Sequence, residues 1–255
     1  MSLYRSISGA GPDVALLHGW GLHGGVFASL ATALASTHRV HVLDLPGHGY
    51  SPWSKSAGDL EGWARLTAAH LPARCAVIGW SLGGLVAHRV ASLFPERVSH
   101  LILMGTAAVG TKCRDFTQAA DPSLLAGLGA RLQRDWRATI LEFFNIAVRG
   151  DENPLDALRV LRQQIDSHGA PNRAALAVGL ELLRTTDLRV SSTRVRMPTL
   201  LIGGEYDRLS PAQGVGALAE RIAGAQLHIV PAAAHAPFLS QPAAVASLIQ
   251  ECLTA

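Results

Sequence analysis

Residues 75–84, Cys-Ala-Val-Ile-Gly-Trp-Ser-Leu-Gly-Gly, constrain this chain more than any other stretch. An apolar run ends in Gly79-Trp80-Ser81-Leu82-Gly83, and a helix-like pattern follows from Gly84 to Phe94. Strand, G-x-S-x-G and helix, in that order, make a nucleophile elbow. The turn is so tight that it forces the serine backbone into a strained conformation. Side chains two residues before and after it would collide, and glycine removes them. In return, the serine Oγ is exposed at a strand tip beside the positive end of a helix. Five letters are a weak signal alone, so the strand before and the helix after carry the assignment.

The rest of the chain repeats that alternation. Val14–Leu17, Val40–Leu43, Ala76–Ile78, Leu101–Met104, Thr199–Ile202 and Leu227–Val230 are short apolar runs that read as buried strands. Most are unbroken rather than alternating, as expected when helices cover both faces of a sheet. Helical patterns lie near 26–35, 59–71, 84–94, 212–222 and 242–253. The expectation is an α/β fold with a mainly parallel sheet and right-handed crossovers. With 255 residues, 49% hydrophobic and 16% charged, the chain can bury a sizeable core.

One interval breaks the rhythm. Between Met104 and Thr199 no strand pattern appears, only helical segments near 122–134, 136–148, 154–167 and 173–184. So long a structureless loop is implausible, so residues 111–187 are expected to be a helical lid. The lid leaves and rejoins a core of 1–110 and 188–255, over the carboxyl ends of the strands, where open α/β sheets bind ligands.

Ser81 needs a base, and the base needs an orienting carboxylate. Thr199–Asp207 is a strand that runs into a loop ending in acids, and Leu227–His235 is the next strand and its loop. Acid and histidine thus follow strand ends, as Ser81 does. Among eleven histidines, His235 stands late in the chain on a small-residue loop. His228 lies within the apolar strand and reads as a core or sheet-facing residue. His38, His70, His88 and His100 lie in or beside helical stretches and read as surface or packing residues. Asp207 competes with Glu205 for the acid; Asp207 is farther out on the loop, and helix capping is its alternative. The oxyanion of a tetrahedral intermediate would find one donor in the Leu82 N–H. A second would come from His18-Gly-Trp-Gly21, where Trp20 supplies the N–H and its indole walls the pocket.

A second motif overlaps that loop. Gly19-Trp-Gly21-Leu-His-Gly24 is a literal G-x-G-x-x-G after a strand, and Asp44 ends the next strand. This is the dinucleotide fingerprint of a dehydrogenase. It leaves Ser81, Asp207 and His235 as coincidences, and it does not explain the turn-rich Asp44-Leu-Pro-Gly-His-Gly49. A catalytically dead binding protein of the same fold is a further alternative, disfavoured by an intact set of three residues.

With these residues placed, the chain resembles the α/β-hydrolase superfamily along its whole length. More narrowly it resembles the BioH family, the pimeloyl-acyl-carrier-protein methyl ester carboxylesterases of biotin synthesis. The matching residues are His18-Gly-Trp-Gly-Leu22, Asp44-Leu-Pro-Gly47, Gly79–Val86, Pro95-Glu-Arg-Val98, Gly179–Leu183 with Thr186–Arg189, and Ala233-Ala-His-Ala-Pro-Phe238. The resemblance implies an α/β-hydrolase fold with its lid inserted after the sixth strand. It implies a triad of Ser81, Asp207 and His235, with Trp20 and Leu82 at the ester. It also implies a substrate-contacting segment of Phe143, Phe144, Asn145, Ile146 and Ala147, in which only Phe143 is shared with the family's usual Phe-Leu-Ala-Leu-Gln. The implied reaction hydrolyses the methyl ester of a pimeloyl chain on acyl carrier protein. A general esterase of short acyl esters would use the same triad.

Carrier proteins of this kind are acidic, so a basic lid face would favour docking. The lid has ten basic and ten acidic residues, so net charge does not decide. Arg131, Arg134 and Arg137 could cluster, as could Arg159 and Arg162, and Arg159 occupies a position that is basic in the family. Net charge of +3 and the absence of a basic run argue against nucleic acid or membrane partners. No signal-peptide core, metal-ligand spacing or P-loop appears, and no cofactor is called for. Three scattered cysteines fit a reducing cytoplasm, and the expectation is a cytoplasmic monomer.

Overall fold

The computed structural model describes residues 2–55, 57–165 and 167–254. Asp166, in the third expected lid helix, lies outside them. The strands are β1 (Arg5–Ser8), β2 (Asp13–Leu17), β3 (Arg39–Leu43), β4 (Cys75–Trp80), β5 (Val98–Met104), β6 (Thr199–Gly204) and β7 (Gln226–Val230). They form one sheet in the order β1-β3-β2-β4-β5-β6-β7. Every pairing is parallel except that of β1 with β3. The helices of the core are α1 (Ala28–Leu34), α2 (Leu60–Ala68) and α3 (Leu82–Leu93) before the insertion. The insertion holds α4 (Pro122–Leu132), α5 (Trp136–Ala147), α6 (Pro154–Gln164) and α7 (Arg173–Thr185). After it come α8 (Ala212–Ala219), α9 (Pro237–Ser240) and α10 (Pro242–Thr254).

The sheet's burial follows the sequence pattern at its centre and departs from it at its edges. All of β4 and β6 is buried, because helices cover both faces. β7 is an edge strand, and Gln226, Leu227 and His228 are exposed, so the expected buried run there is not one. β1, fully exposed, carries a single apolar residue, Ile7, and was not legible as a strand. His100 belongs to β5 rather than to a helix. Among the described residues five strands precede the insertion, not six. β1 is the outermost strand of its side, so no additional edge strand fills the family's count.

The insertion begins and ends at one point of the core. Val109 bridges Asp187, the Gly110 N–H donates to Thr186 O, and the Leu188 N–H donates to Ala108 O. Side chains start four helices locally, since Asp59, Asp121, Asp135 and Asn172 accept hydrogen bonds from first-turn N–H groups of α2, α4, α5 and α7.

At the β4–α3 junction Ser81 has φ 56 and ψ −117, a region costly for a side-chain-bearing residue. Its flanking glycines are required by two different surfaces. A Cβ on Gly79 would lie 2.3 Å from Gly83 O, inside the elbow itself. A Cβ on Gly83 would lie 2.1 Å from Leu17 O, so that glycine lets α3 approach the end of β2. The expected clash between the two flanks is therefore only half of the reason. Gly83→Ala should destabilise strongly or prevent folding, because backbone on both sides must shift. Gly127→Ala, in α4 with nothing near its added methyl, should stabilise by about 0.5–1 kcal/mol through helix propensity. Melting curves of the two variants check the contrast, and equal effects would contradict it.

His88 is a core residue of α3. Its Nε2 pairs with Ser192 Oγ at 2.9 Å, and its buried Nδ1 has no hydrogen-bond partner among the described residues. Burial, helped by the Arg89 charge, pushes the imidazole down to about 3. Between that value and the ordinary 6.5, the unfolded chain binds a proton here that the folded chain does not. Stability must therefore fall as pH drops below about 6.5. Acidification from about pH 7 to about pH 5 should cost about 2 kcal/mol at this residue, and His88→Gln should lessen the loss by up to that amount. Urea unfolding at both pH values checks it, and equal losses in the two proteins would contradict it.

Candidate active site

Three loops deliver Ser81, Asp207 and His235 to the carboxyl edge of the sheet. Ser81 follows β4, Asp207 follows β6, and His235 follows β7. The parallel register of these strands makes residues far apart in sequence neighbours in space. His235 Nε2 lies 2.8 Å from Ser81 Oγ, and His235 Nδ1 lies 2.8 Å from Asp207 Oδ2. All three side chains are buried. Ser81 is only 3% exposed, so its hydroxyl faces the floor of a covered cleft rather than open solvent.

The carboxylate is fixed on its other side too. Asp207 Oδ1 accepts from the N–H groups of Leu209 and Ser210, both at 2.8 Å. These two bonds leave Oδ2 aimed at the imidazole. Glu205, the rival acid, is exposed and accepts from the Ala232 N–H at 2.9 Å. Ala232 has φ 54, so Glu205 braces a strained turn and is turned away from His235. The imidazole is held by its own backbone. The His235 N–H donates to Ala147 O at 2.9 Å, and His235 O accepts from Trp80 Nε1 at 2.7 Å. Gly105, at φ 53, lets the ring approach, because a Cβ there would lie 3.1 Å from it.

The two segments expected to supply the oxyanion donors meet at the start of α3. Leu82 opens α3, so its N–H has no acceptor within the helix. The close approach of Gly83 to Leu17 and His18 brings this helix end against the loop that holds Trp20. The indole of Trp20 does something other than wall the cleft. It is fully buried, and its Nε1 donates to Leu176 O at 2.8 Å. A Cβ on Gly179 would lie 2.9 Å from the ring, so α7 rests directly on the indole. Trp20 thus ties the insertion to the core.

A narrow cleft of about 390 Å³, including its open mouth, starts at Ser81 and His235. Its walls are mainly apolar, with Leu85 from the core, Leu125, Phe143 and Leu183 from the insertion, and Leu209 beside the acid. Phe143 also meets Trp20 edge-on at 5.1 Å. Of the five expected substrate-contacting residues, only Phe143 lines this cleft. Phe144 is fully buried in packing, Asn145 is exposed, Ile146 is half-buried, and Ala147 serves through its carbonyl. The helix period explains this, since five consecutive residues cannot share one face. Leu125, Leu183 and Leu209 were missed as lining residues; only their apolar character marked them, and every core leucine shares it.

Arg131 pairs with Glu142, and Arg159 pairs with Asp156 at 2.9 Å on an exposed helix face. Arg162 is exposed on the same helix. The glycine fingerprint is absorbed by packing. Gly19 makes room for the Trp80 ring and Gly24 for Val42, while Asp44 is buried and accepts from the Gly24 and Tyr50 N–H groups. Both oxygens of that acid are committed to the turn, so no free carboxylate awaits a ribose.

Comparison with known proteins agrees with this geometry. A family profile described as "alpha/beta hydrolase fold" matches residues 12–242. A pimeloyl-[acyl-carrier protein] methyl ester esterase of Aeromonas hydrophila subsp. hydrophila is 40% identical, over 98% of each chain. A protein of the same description from Chromobacterium violaceum is 38% identical, over 94% of this chain and 93% of that one. Among solved structures, an esterase from Exiguobacterium antarcticum superposes with a TM-score of 0.87 over 99% of this chain and 96% of that one. At 22% identity that likeness shows the fold alone. The chain belongs to the α/β-hydrolase fold family and, within it, to the pimeloyl-[acyl-carrier protein] methyl ester esterases.

Proposed function

We propose that this protein hydrolyses the methyl ester of a pimeloyl chain carried by acyl carrier protein, with Ser81 as nucleophile, His235 as general base and Asp207 as its orienting acid. The observation that carries the reading is the hydrogen-bonded chain from Ser81 Oγ through His235 to Asp207 at the end of an apolar cleft. The name and near-full-length similarity of the relatives supply the substrate. His235 Nε2 takes the Ser81 proton as Oγ attacks the ester carbonyl, and Asp207 stabilises the imidazolium. The N–H groups of Leu82 and Trp20 receive the oxyanion. His235 returns the proton to the departing methoxide, so methanol leaves and an acyl-enzyme remains. Water, activated by the same imidazole, then frees the terminal carboxylate and regenerates Ser81.

The cleft suits such a substrate, because a pimeloyl chain offers methylenes to Leu85, Leu125, Phe143 and Leu183. In this reading residues 111–187 act as a lid over a catalytic core of 1–110 and 188–255. Arg159 and Arg162 meet the acidic carrier at the rim. The enzyme works as a cytoplasmic monomer without nucleic acid or membrane partners. Its free Cys75, Cys113 and Cys252 are compatible with a reducing compartment. No helix among the described residues is long and apolar enough to cross a membrane.

Ser81→Ala should leave the fold intact and cut turnover by roughly four to six orders of magnitude, because the three residues act as a unit. Asp207→Asn should cost about three orders of magnitude or more, far beyond Glu205→Gln. Methanol release from synthetic pimeloyl-carrier methyl ester is the assay. A tenth of activity surviving in Ser81→Ala, or a more damaging Glu205→Gln, would overturn the assignment. Failure to release methanol, with p-nitrophenyl esters still cleaved, would leave the general-esterase reading in its place.

Arg159→Glu should lower kcat/KM for the carrier-bound ester and weaken its salt dependence, while a small free ester is cleaved as before. Its pairing with Asp156 is exposed to solvent, so little stability is at stake. Stopped-flow rates at two salt concentrations check this, and equal losses on both substrates would make the arginine structural.

A further inference from the structure

The loop carrying His235 is gripped from the insertion side by three hydrogen bonds. Two use backbone alone: the His235 N–H donates to Ala147 O, and the Glu152 N–H donates to Ala232 O at 2.8 Å. The third uses a side chain. Asp151 Oδ1 accepts from the Ala234 N–H at 2.5 Å. Asp151 follows α5, the helix whose Phe143 lines the cleft and meets the His235 ring edge-on at 6.3 Å.

Asp151 is buried at this junction. It is only 7% exposed, and it does not cap the following helix, whose N-cap is Asn153. Its Oδ2 is buried, with Ser240 as the neighbouring hydroxyl that favours its charge. Burial raises the carboxyl above its ordinary value, and the nearby Asp207 charge adds to the rise. The Ala234 N–H, Ser240 and His235 act in the opposite sense. A carboxylate buried against neutral donors is costly. The bond to Oδ1 comes from the peptide N–H one residue before the imidazole.

We propose that Asp151 is a positioning residue for His235: by holding the Ala234 N–H it fixes the loop from which the imidazole reaches Ser81, and it couples that loop to the end of α5. The role rests on the reading of Ser81, His235 and Asp207 as the catalytic chain. A shift of the loop lengthens the Nε2–Oγ approach without touching the substrate's binding wall, so the loss falls on kcat rather than KM.

The test compares Asp151→Ala with Asp151→Asn, which keeps an acceptor for the Ala234 N–H. Kinetics on a small p-nitrophenyl ester avoid any carrier contact. Asp151→Ala should lower kcat about tenfold with KM within about twofold, and should slow phosphonate labelling of Ser81 by the same factor. Asp151→Asn should recover most of the loss. The downfield proton resonance of His235 Nδ1–H should shift or broaden in Asp151→Ala and return in Asp151→Asn. Should Asp151→Ala prove too unstable to purify, Asp151→Ser, whose hydroxyl is too short to reach, replaces it. An unchanged kcat, a loss confined to KM, or an Asp151→Asn as impaired as Asp151→Ala overturns the role. Ser81→Ala in the same assay separates the two readings. Turnover surviving there would remove the triad itself, whereas turnover abolished there with Asp151→Ala unaffected removes only the positioning role.

Discussion

The hydrogen bond between His235 Nε2 and Ser81 Oγ joins residues 154 positions apart, and most of the architecture is needed to form it. Ser81 must stand at the tip of β4 in a backbone conformation that few residues adopt. That conformation persists because Gly79 and Gly83 let three backbone segments approach where any side chain would intrude. The imidazole must arrive from the β7 side across the sheet edge. Parallel pairing of β4, β5, β6 and β7 sets both loops on the same edge, and Gly105 leaves the ring room to pass. A local strain at one residue is thus maintained by close packing at several others.

The insertion is part of this construction rather than a separate cover. It contacts the core through Trp20 under α7, through Ala147 and Asp151 at the histidine loop, and through the bridge at Val109 and Asp187. Two of these contacts are hydrogen bonds to backbone groups that would otherwise be buried unpaired, a costly state. The α5 end is therefore anchored to the loop that carries His235. The apolar wall formed by Leu125 and Leu183 belongs to α4 and α7, which lack that anchor.

The polar groups in and around the site divide by their partners. Asp207 and Glu205 sit two residues apart on one loop and do unlike work. Asp207 is turned inward by two N–H groups, whereas Glu205 is spent on the Ala232 turn. Asp44 closes the loop after β3, and its two bonds remove the one acidic group that a dinucleotide would need. Spacing along the chain describes neither outcome; the direction of each side chain does.

Much of the fold was legible because it is governed by near neighbours. The elbow, the central buried strands and the four helices of the insertion follow from glycine sterics and apolar periodicity over a few residues. Loop position separates Asp207 from Glu205 in the sequence, and the N–H donors that turn Asp207 toward His235 are visible only in the structure. The exposed edges escaped the same reasoning. β1 has a single apolar residue, Ile7, and the first residues of β7 are exposed because the strand lies at the sheet edge, although α8 packs against it. The lining of the cleft and the clamp on His235 were likewise invisible. Asp151 and Ala234 are 83 residues apart, and an acid after a helix reads as ordinary surface until folding buries it. Sequence by itself determined the chemistry on offer, because a strained turn and its helix are local events. Tertiary structure decided which side chains meet that chemistry, because contact between distant segments depends on how whole elements pack.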